Sequence, residues 1–150
     1  MLQLNAHVAD DRVLDAYRDA IFCLQPWGDS GTRQGFWDAI AAGCIPVIFE
    51  THSWRPASHF LGVELNKICV RIPLEHMRVD GMGALAYLRS LPVPTVRALQ
   101  YEVLQARGRC QYSRYTTTPG GDAVDRMVSV VAAQFRQRRD GQEGFLPDLP

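Results

Sequence analysis

The sequence lacks an excess of either charge, because its 16 basic residues balance its 16 acidic residues. This balance argues against a protein that holds nucleic acid through bulk positive charge. Long apolar runs are missing as well, and none approaches the roughly 20 residues that a membrane span needs. The N-terminus, MLQLNAHVADD, has no basic region followed by an apolar run, so it does not have the pattern of a secretory signal.

Cysteine is scarce, with four in 150 residues, and none of them stands in a C-x-x-C pair. The spacing therefore gives little support to a zinc ribbon or a redox motif. Cys23 and Cys44 lie inside apolar runs, which predicts two buried thiols that pack as small hydrophobic side chains. For Cys69 and Cys110, a disulfide between the two stays open if the protein lies in an oxidising compartment.

The composition is that of an ordinary globular protein, with 47% hydrophobic and 21% charged residues. The length suits one domain, or one large part of a longer protein. We predict a single domain over residues 1–139, followed by a loose tail over residues 140–150.

The first half of the chain has the pattern of a βαβ unit. Two short apolar runs, residues 20–26 and 44–49, predict buried strands, and the turn-rich segment WGDSGT follows the first of them. A helix is predicted between the runs over residues 33–42, with Ser30 or Thr32 as its N-cap and Gly43 at its end. Such a unit joins parallel strands through a helical crossover.

The remaining elements extend this pattern. We predict an irregular stretch over 50–65, a third strand over 67–73, and helices over 10–20, 81–91, 93–108 and 121–139. The last helix carries an apolar stripe formed by Val124, Met127, Val128, Val131 and Phe135. The fold class is therefore α/β, a partial Rossmann-like parallel sheet with helices on both faces. A doubly wound domain needs more strands before the first one here, so the chain resembles the C-terminal part of something longer.

The loop between the first predicted strand and the next helix is the candidate binding site. Ligands of open α/β sheets bind beyond the carboxyl ends of the strands, and a helix N-terminus favours an anion. Gly28 and Gly31 let the backbone approach a ligand, and Arg33 supplies a bidentate donor suited to phosphate. Asp38 could accept hydrogen bonds from a ribose. The alternative is that Asp29, Ser30 and Thr32 only cap the helix and that Arg33 is a solvated surface residue.

The segment from Phe22 to Glu50 strongly resembles the signature of the exostosin-like glycosyltransferases, family 47. That signature reads roughly F-C-L-x-P-x-G-D-S-x-T, then a helix with an acidic residue, then A-G-C-I-P-V-I. Thr32-Arg33 followed by Phe36-Trp37-Asp38 is most similar to the plant galactosyltransferase-like branch. The matching residues are Phe22, Cys23, Leu24, Pro26, Gly28, Asp29, Ser30, Thr32, Asp38, Ala39, Ile40, Ala42, Gly43, Cys44, Ile45, Pro46, Val47 and Ile48.

The resemblance implies the C-terminal, donor-binding domain of a GT-B glycosyltransferase, whose active site lies between two Rossmann-like domains. It implies an inverting transfer from a UDP-sugar to a polysaccharide or glycan, without a metal ion or other cofactor. The chain has no D-x-D motif, which agrees with metal independence. The diphosphate would be bound by Gly28, Asp29, Ser30, Thr32 and Arg33, and the ribose by Asp38.

Further implied contacts are less specific. Trp27 and Glu50 are candidates for contacts with the donor sugar or base, although a core or rim aromatic and a solvated loop end are the simpler interpretations. His52, His59 and His76 have no spacing typical of a metal site. No residue of the chain is predicted to be the catalytic base, which the resemblance would place in an N-terminal domain.

Three functions stay open from the sequence. The first is the glycosyltransferase, which by resemblance would be a Golgi membrane enzyme whose anchor and N-terminal domain, or a partner chain, lie outside this sequence. The second is a non-catalytic module that binds nucleotide-sugars or assists another transferase. The third is another Rossmann-like enzyme such as a dehydrogenase, which the missing G-x-G-x-x-G fingerprint disfavours.

Overall fold

The computed structural model describes residues 11–26, 33–49, 55–77, 82–113 and 121–139. Within them lie three strands, β1 (Phe22–Gln25), β2 (Ile45–Ile48) and β3 (Val70–Arg71). The seven helices are α1 (Asp11–Asp19), α2 (Gln34–Ala42), α3 (Arg55–Leu61), α4 (Leu65–Ile68), α5 (Met82–Ser90), α6 (Val93–Ala106) and α7 (Ala123–Arg139). Two 3₁₀ turns, Leu74–His76 and Arg107–Cys110, complete the set.

The strands form one parallel sheet in the order β1-β2-β3, so the α/β class and the βαβ unit are confirmed. The last residues of β1, β2 and β3 pair in one row, Gln25 with Ile48 and Ile48 with Arg71. That row is the carboxyl edge of the sheet. All four residues of β2 are buried, as its continuous apolar sequence predicts.

The first strand is less buried than its sequence predicts. Leu24 is 54% exposed, whereas Val47 and Val70, which share its row, are buried. Ile21, directly before β1, is 52% exposed. The reason is the position of β1 at an edge of the described sheet, where nothing in the described ranges covers this part of the strand.

Helix α2 begins one residue later than predicted, and its N-cap is Arg33 rather than Ser30 or Thr32. The backbone of Arg33 is extended, with φ −111° and ψ 142°, and therefore cannot belong to the first turn. The predicted end of the helix is confirmed: Gly43 has φ 87°, a left-handed conformation that glycine adopts without steric cost. Phe36 and Ile40 of α2 are fully buried in the main core.

The cysteine pairing differs from the prediction. Cys23 and Cys44 are buried as predicted, but they form a disulfide instead of remaining free thiols. Cys23 pairs in register with Pro46, which brings Cys44 to a Cα–Cα distance of 5.9 Å, within the usual range for a disulfide. Ala39 of α2 and Tyr17 of α1 pack against the bridge.

Cys69 and Cys110 are both free, so the alternative disulfide between them is wrong. Each thiol lies beside the carbonyl four residues earlier, Leu65 at 2.9 Å and Ala106 at 3.8 Å. Burial raises the pKa of each thiol to about 12, which keeps both protonated at neutral pH.

The stretch over 50–65 is more regular than predicted. Helix α3 occupies Arg55–Leu61, and α4 takes up Lys67 and Ile68, which the sequence pattern placed in the third strand. That strand is therefore only two residues long. The predicted helices over 10–20, 81–91, 93–108 and 121–139 are confirmed as α1, α5, α6 and α7. None of the described helices has both the length and the apolar character to cross a bilayer.

Two arginines from distant parts of the chain hold the carboxyl end of α3. The guanidinium of Arg109 donates to the carbonyl of Leu61 at 2.5 Å. Arg126 of α7 donates to the carbonyls of Phe60, at 2.5 Å, and His59, at 3.5 Å. The last carbonyls of a helix have no partner inside the helix, and these donors add to the bond that the N–H of Gly62 makes to the carbonyl of His59. The contacts attach α7 to α3.

The apolar stripe of α7 remains open within the described part of the chain. Its five members, Val124, Met127, Val128, Val131 and Phe135, are between 44% and 68% exposed. Only Ala123, at the start of the helix, is buried. The helix is thus held at its first turns and not along its stripe.

Asp122 caps α7. Its Oδ1 accepts hydrogen bonds from the backbone N–H groups of Val124 and Asp125, at 2.8 and 3.1 Å. The N–H of Asp122 in turn donates to the carboxylate of Asp125 at 3.2 Å, a reciprocal capping box. Asp122 also accepts from the N–H of Ser113. The bond from Ser113, followed by those from Asp125 and Val124, lowers the pKa of Asp122 below its usual 3.8.

Removal of the Cys23–Cys44 disulfide is expected to destabilise the fold. The bridge closes a segment of 21 residues, so the double variant Cys23→Ala/Cys44→Ala should lose about 2–4 kcal/mol of unfolding free energy. Urea unfolding measures this loss. Cys110→Ser, at a free and half-buried thiol, is the control with a smaller effect. Identical unfolding of the wild type with and without a reductant would contradict the bridge.

The cap at Asp122 is expected to make stability depend on acid. A carboxyl whose pKa is lowered by folding stabilises the fold above its unfolded pKa, and the gain disappears as pH falls through the folded pKa. Thermal melts of the wild type and Asp122→Asn should therefore differ at pH 7 and converge below pH 3.8. Asp19→Asn, at an exposed carboxylate of α1, is the control. A difference that persists unchanged at pH 2.5 would contradict the lowered pKa.

Candidate functional site

The candidate site lies at the connection from β1 to α2, on the carboxyl edge of the sheet. Arg33 and Asp38 are the two predicted site residues that the structure describes. The other predicted contacts, Trp27, Gly28, Asp29, Ser30, Thr32 and Glu50, lie outside the described residues. Their roles stay predictions. The described part of the site therefore consists of the residues on either side of the loop, Pro26 and Arg33, and helix α2.

Arg33 closes the base of the loop. Its Nη1 donates to the carbonyl of Pro26 at 2.7 Å, which joins the residue after β1 to the residue before α2. The side chain does not cap α2, and the first turn of α2 contains no acidic residue. A guanidinium is planar and has five N–H donors in a fixed fork. The positive side chain and the positive end of the helix dipole lie together at this point.

Asp38 lies one helical turn further along α2. It is half-buried, and burial raises the pKa of its carboxyl above the usual value. The side chain of Gln34, four residues earlier on the same helix face, hydrogen-bonds Asp38 and opposes that rise. Gln34 is thus a fixed hydrogen-bond partner of Asp38. The partly desolvated carboxylate of Asp38 is suited to accept a hydrogen bond from a hydroxyl group of a ligand.

Sequence reasoning missed a polar cluster at the end of β1. Gln25, the last residue of β1, is 3% exposed, and its side-chain nitrogen has no hydrogen-bond partner within the described ranges. A Cβ at Gly35 would lie 2.9 Å from the Oε1 of Gln25 and 3.3 Å from the hydroxyl of Tyr17. The cluster therefore joins α1, β1 and the first turn of α2. A glutamine at the end of an otherwise apolar strand was the available signal.

A cavity of about 440 Å³ opens beside the same edge of the sheet. It lies at the ends of β2 and β3, where Ile48 and Arg71 line it. Tyr87 of α5 and Thr95 and Leu99 of α6 form part of its other walls. The lining is mostly apolar with a few polar groups, a composition typical of small-molecule sites.

Trp37 and His76 pack against neighbouring aromatic rings. Trp37 makes edge-to-face contacts with Phe36 and Phe60, at centroid distances of 5.5 and 5.6 Å. His76 lies 4.9 Å from the ring of Tyr87. In the described ranges, no group of three or more His, Cys, Asp or Glu residues could hold a metal ion.

Comparisons with known proteins identify the family. The sequence profile of the Exostosin GT47 domain matches residues 3–82, more than half of the chain and all of the β1–α2–β2 unit. A probable xyloglucan galactosyltransferase of Arabidopsis thaliana, GT19, is 36% identical over 123 residues, which are 78% of this chain and 28% of the relative. No solved structure gives a significant match.

Two further relatives from the same plant carry related names. The probable xyloglucan galactosyltransferase GT13 is 50% identical over 128 residues, covering 85% of this chain and 27% of the relative. The xyloglucan galactosyltransferase MUR3 is 29% identical over 140 residues, covering 91% of this chain and 23% of the relative. The chain spans less than a third of the length of these relatives. The profile match and the relatives together show that this chain belongs to the exostosin GT47 glycosyltransferase family.

Proposed function

We propose that the chain is the donor-binding part of an inverting glycosyltransferase that moves galactose from a UDP-sugar to a xyloglucan-like polysaccharide. The observation that carries the proposal is the β1–α2 connection, where Arg33 and the positive end of α2 meet, with Asp38 further along the same helix. This connection falls inside the segment that the family profile matches. Galactose and xyloglucan are taken from the names of the relatives.

The transfer reaction needs groups that stabilise the negative charge of the departing diphosphate. In an inverting transfer, an acceptor hydroxyl attacks the anomeric carbon, a base takes the hydroxyl proton, and the bond to the diphosphate breaks. Arg33 and the N–H groups of the first turn of α2 stabilise the negative charge that develops on the diphosphate, and Asp38 orients the ribose. No metal ion or other cofactor is required for this step. The base is supplied from outside the described residues.

The chain acts together with further parts of a GT-B enzyme. Parallel sheets are ordinarily covered on both faces and continue beyond three strands, yet β1 is an edge with Ile21 and Leu24 half-exposed. A further strand pairs with β1 and covers these side chains, and a facing N-terminal domain, or a partner chain, supplies the acceptor site. The Cys23–Cys44 disulfide agrees with an oxidising compartment, and we place the enzyme at the Golgi membrane.

A non-catalytic module that binds nucleotide-sugars is the second candidate. Both candidates bind the donor and only the first transfers the sugar, so an assay of transfer to xyloglucan separates them.

Arg33→Ala is expected to weaken UDP binding. Loss of a charge-assisted contact should cost about 1.5–3 kcal/mol of binding free energy, measured by titration calorimetry with a chelator present. Arg89→Ala, at an exposed arginine of α5, is the control and should bind as the wild type does. Unchanged affinity in Arg33→Ala would contradict its role. Loss of wild-type binding on chelation would contradict metal independence.

The size of the native polypeptide tests the proposal of further domains. An immunoblot of the source cells with an antibody against α7 should show a band much heavier than 16.8 kDa. A single band at 16.8 kDa would contradict a covalently joined N-terminal domain and leave the partner chain as the alternative. Recombinant chain loaded on the same gel is the size control.

A further inference from the structure

Gln25 is the one polar side chain that is buried in the described part of the chain. It is only 3% exposed, and its side-chain nitrogen lacks a hydrogen-bond partner among the described residues. Nearly all buried polar groups in folded proteins are paired, because an unpaired donor has lost water and gained nothing. An unpaired buried donor such as this one is therefore a candidate for a hydrogen bond to a ligand.

The neighbouring residue Gly35 indicates that the position of this amide is specified. Its φ does not lie in the left-handed region, so its backbone alone does not require glycine. A Cβ there would approach the Oε1 of Gln25 to 2.9 Å and the hydroxyl of Tyr17 to 3.3 Å. The missing side chain at Gly35 therefore provides the space in which the amide rests against the first turn of α2.

The location of the amide indicates the chemistry of its partner. Gln25 ends β1 at the carboxyl edge of the sheet, and Pro26, the next residue, accepts the bond from Arg33. The amide lies against the first turn of α2, whose N-cap side chain makes no cap. That first turn contains no acidic side chain. Such a concentration of donors suits an oxygen-rich anion.

We propose that the side-chain amide of Gln25 donates a hydrogen bond to the diphosphate of the bound nucleotide-sugar. This inference rests on the proposed function and adds a binding residue that its predicted contacts did not include. In the free protein the donor has no partner among the described residues, and an unpaired buried donor lowers stability. In the complex a diphosphate oxygen accepts a hydrogen bond from this donor. The amide of Gln25 therefore favours ligand binding and disfavours the stability of the free protein.

The test is the variant Gln25→Met, which keeps the volume of the side chain and removes both polar atoms. The melting temperature of the free protein should be equal to or higher than that of the wild type, because an orphaned donor is gone. The Kd for UDP, measured by calorimetry, should rise about tenfold to a hundredfold. A structural role would instead lower the melting temperature and leave the Kd unchanged, and that result overturns the proposal.

Two further variants make the result specific. Gly35→Ala keeps the amide but displaces it, so the Kd for UDP should rise while Gln25 is intact. Gln105→Met, at an exposed glutamine of α6, is the matched control and should change neither quantity. If Gly35→Ala binds UDP as tightly as the wild type does, the proposed position of the amide is wrong.

A titration with uridine separates the diphosphate from the nucleoside. Gln25→Met should bind uridine as the wild type does, since uridine carries no phosphate. An equal loss of uridine and UDP binding would overturn the assignment to the diphosphate. If the wild type takes up neither UDP nor a UDP-sugar, the proposed function fails and this proposal fails with it. Wild-type UDP binding that survives intact in Gln25→Met would remove only the role of Gln25.

Discussion

The parallel pairing of β1 with β2 is the interaction on which the rest of the structure depends. Parallel neighbours cannot be joined by a tight turn, so the chain must cross over the sheet through a helix. That crossover is α2, and it places the start of the helix beside the end of β1. The Cys23–Cys44 bridge fastens the far end of the crossover to the same strand. Sheet and helix therefore hold one another in register, and they position both described ends of the β1–α2 connection.

The same connection concentrates features that do not favour a stable fold. Arg33 does not cap α2, the amide of Gln25 is buried without a described partner, and Asp38 is partly desolvated. The start of α7, by contrast, carries a capping box at Asp122. Proteins break local rules mainly where function requires it. The unpaired amide of Gln25 and the partly desolvated Asp38 are therefore the features that single out this connection as the candidate site.

The sequence predicted what depends on local pattern. The apolar runs predicted β1 and β2, the Gly43 end of α2 followed from the needs of a left-handed residue, and the long helices followed from their periodicity. Features that depend on tertiary neighbours were not predictable. The exposure of Leu24 reflects what lies beside β1, the Cys23–Cys44 pairing reflects the register with Pro46, and the burial of Gln25 reflects the space at Gly35. Spacing along the chain carries none of these facts.

The arginines at the end of α3 have a consequence for synthesis of the protein. Arg109 is 48 residues from its partner carbonyl, and Arg126 is 66 and 67 residues from its two partners. A ribosome delivers α3 long before it delivers either guanidinium. Until then the carbonyls of Phe60 and Leu61 lack these donors, and α3 is a short helix of seven residues. The contacts that attach α3 to the C-terminal segment therefore form only after Arg109 and Arg126 have been synthesised.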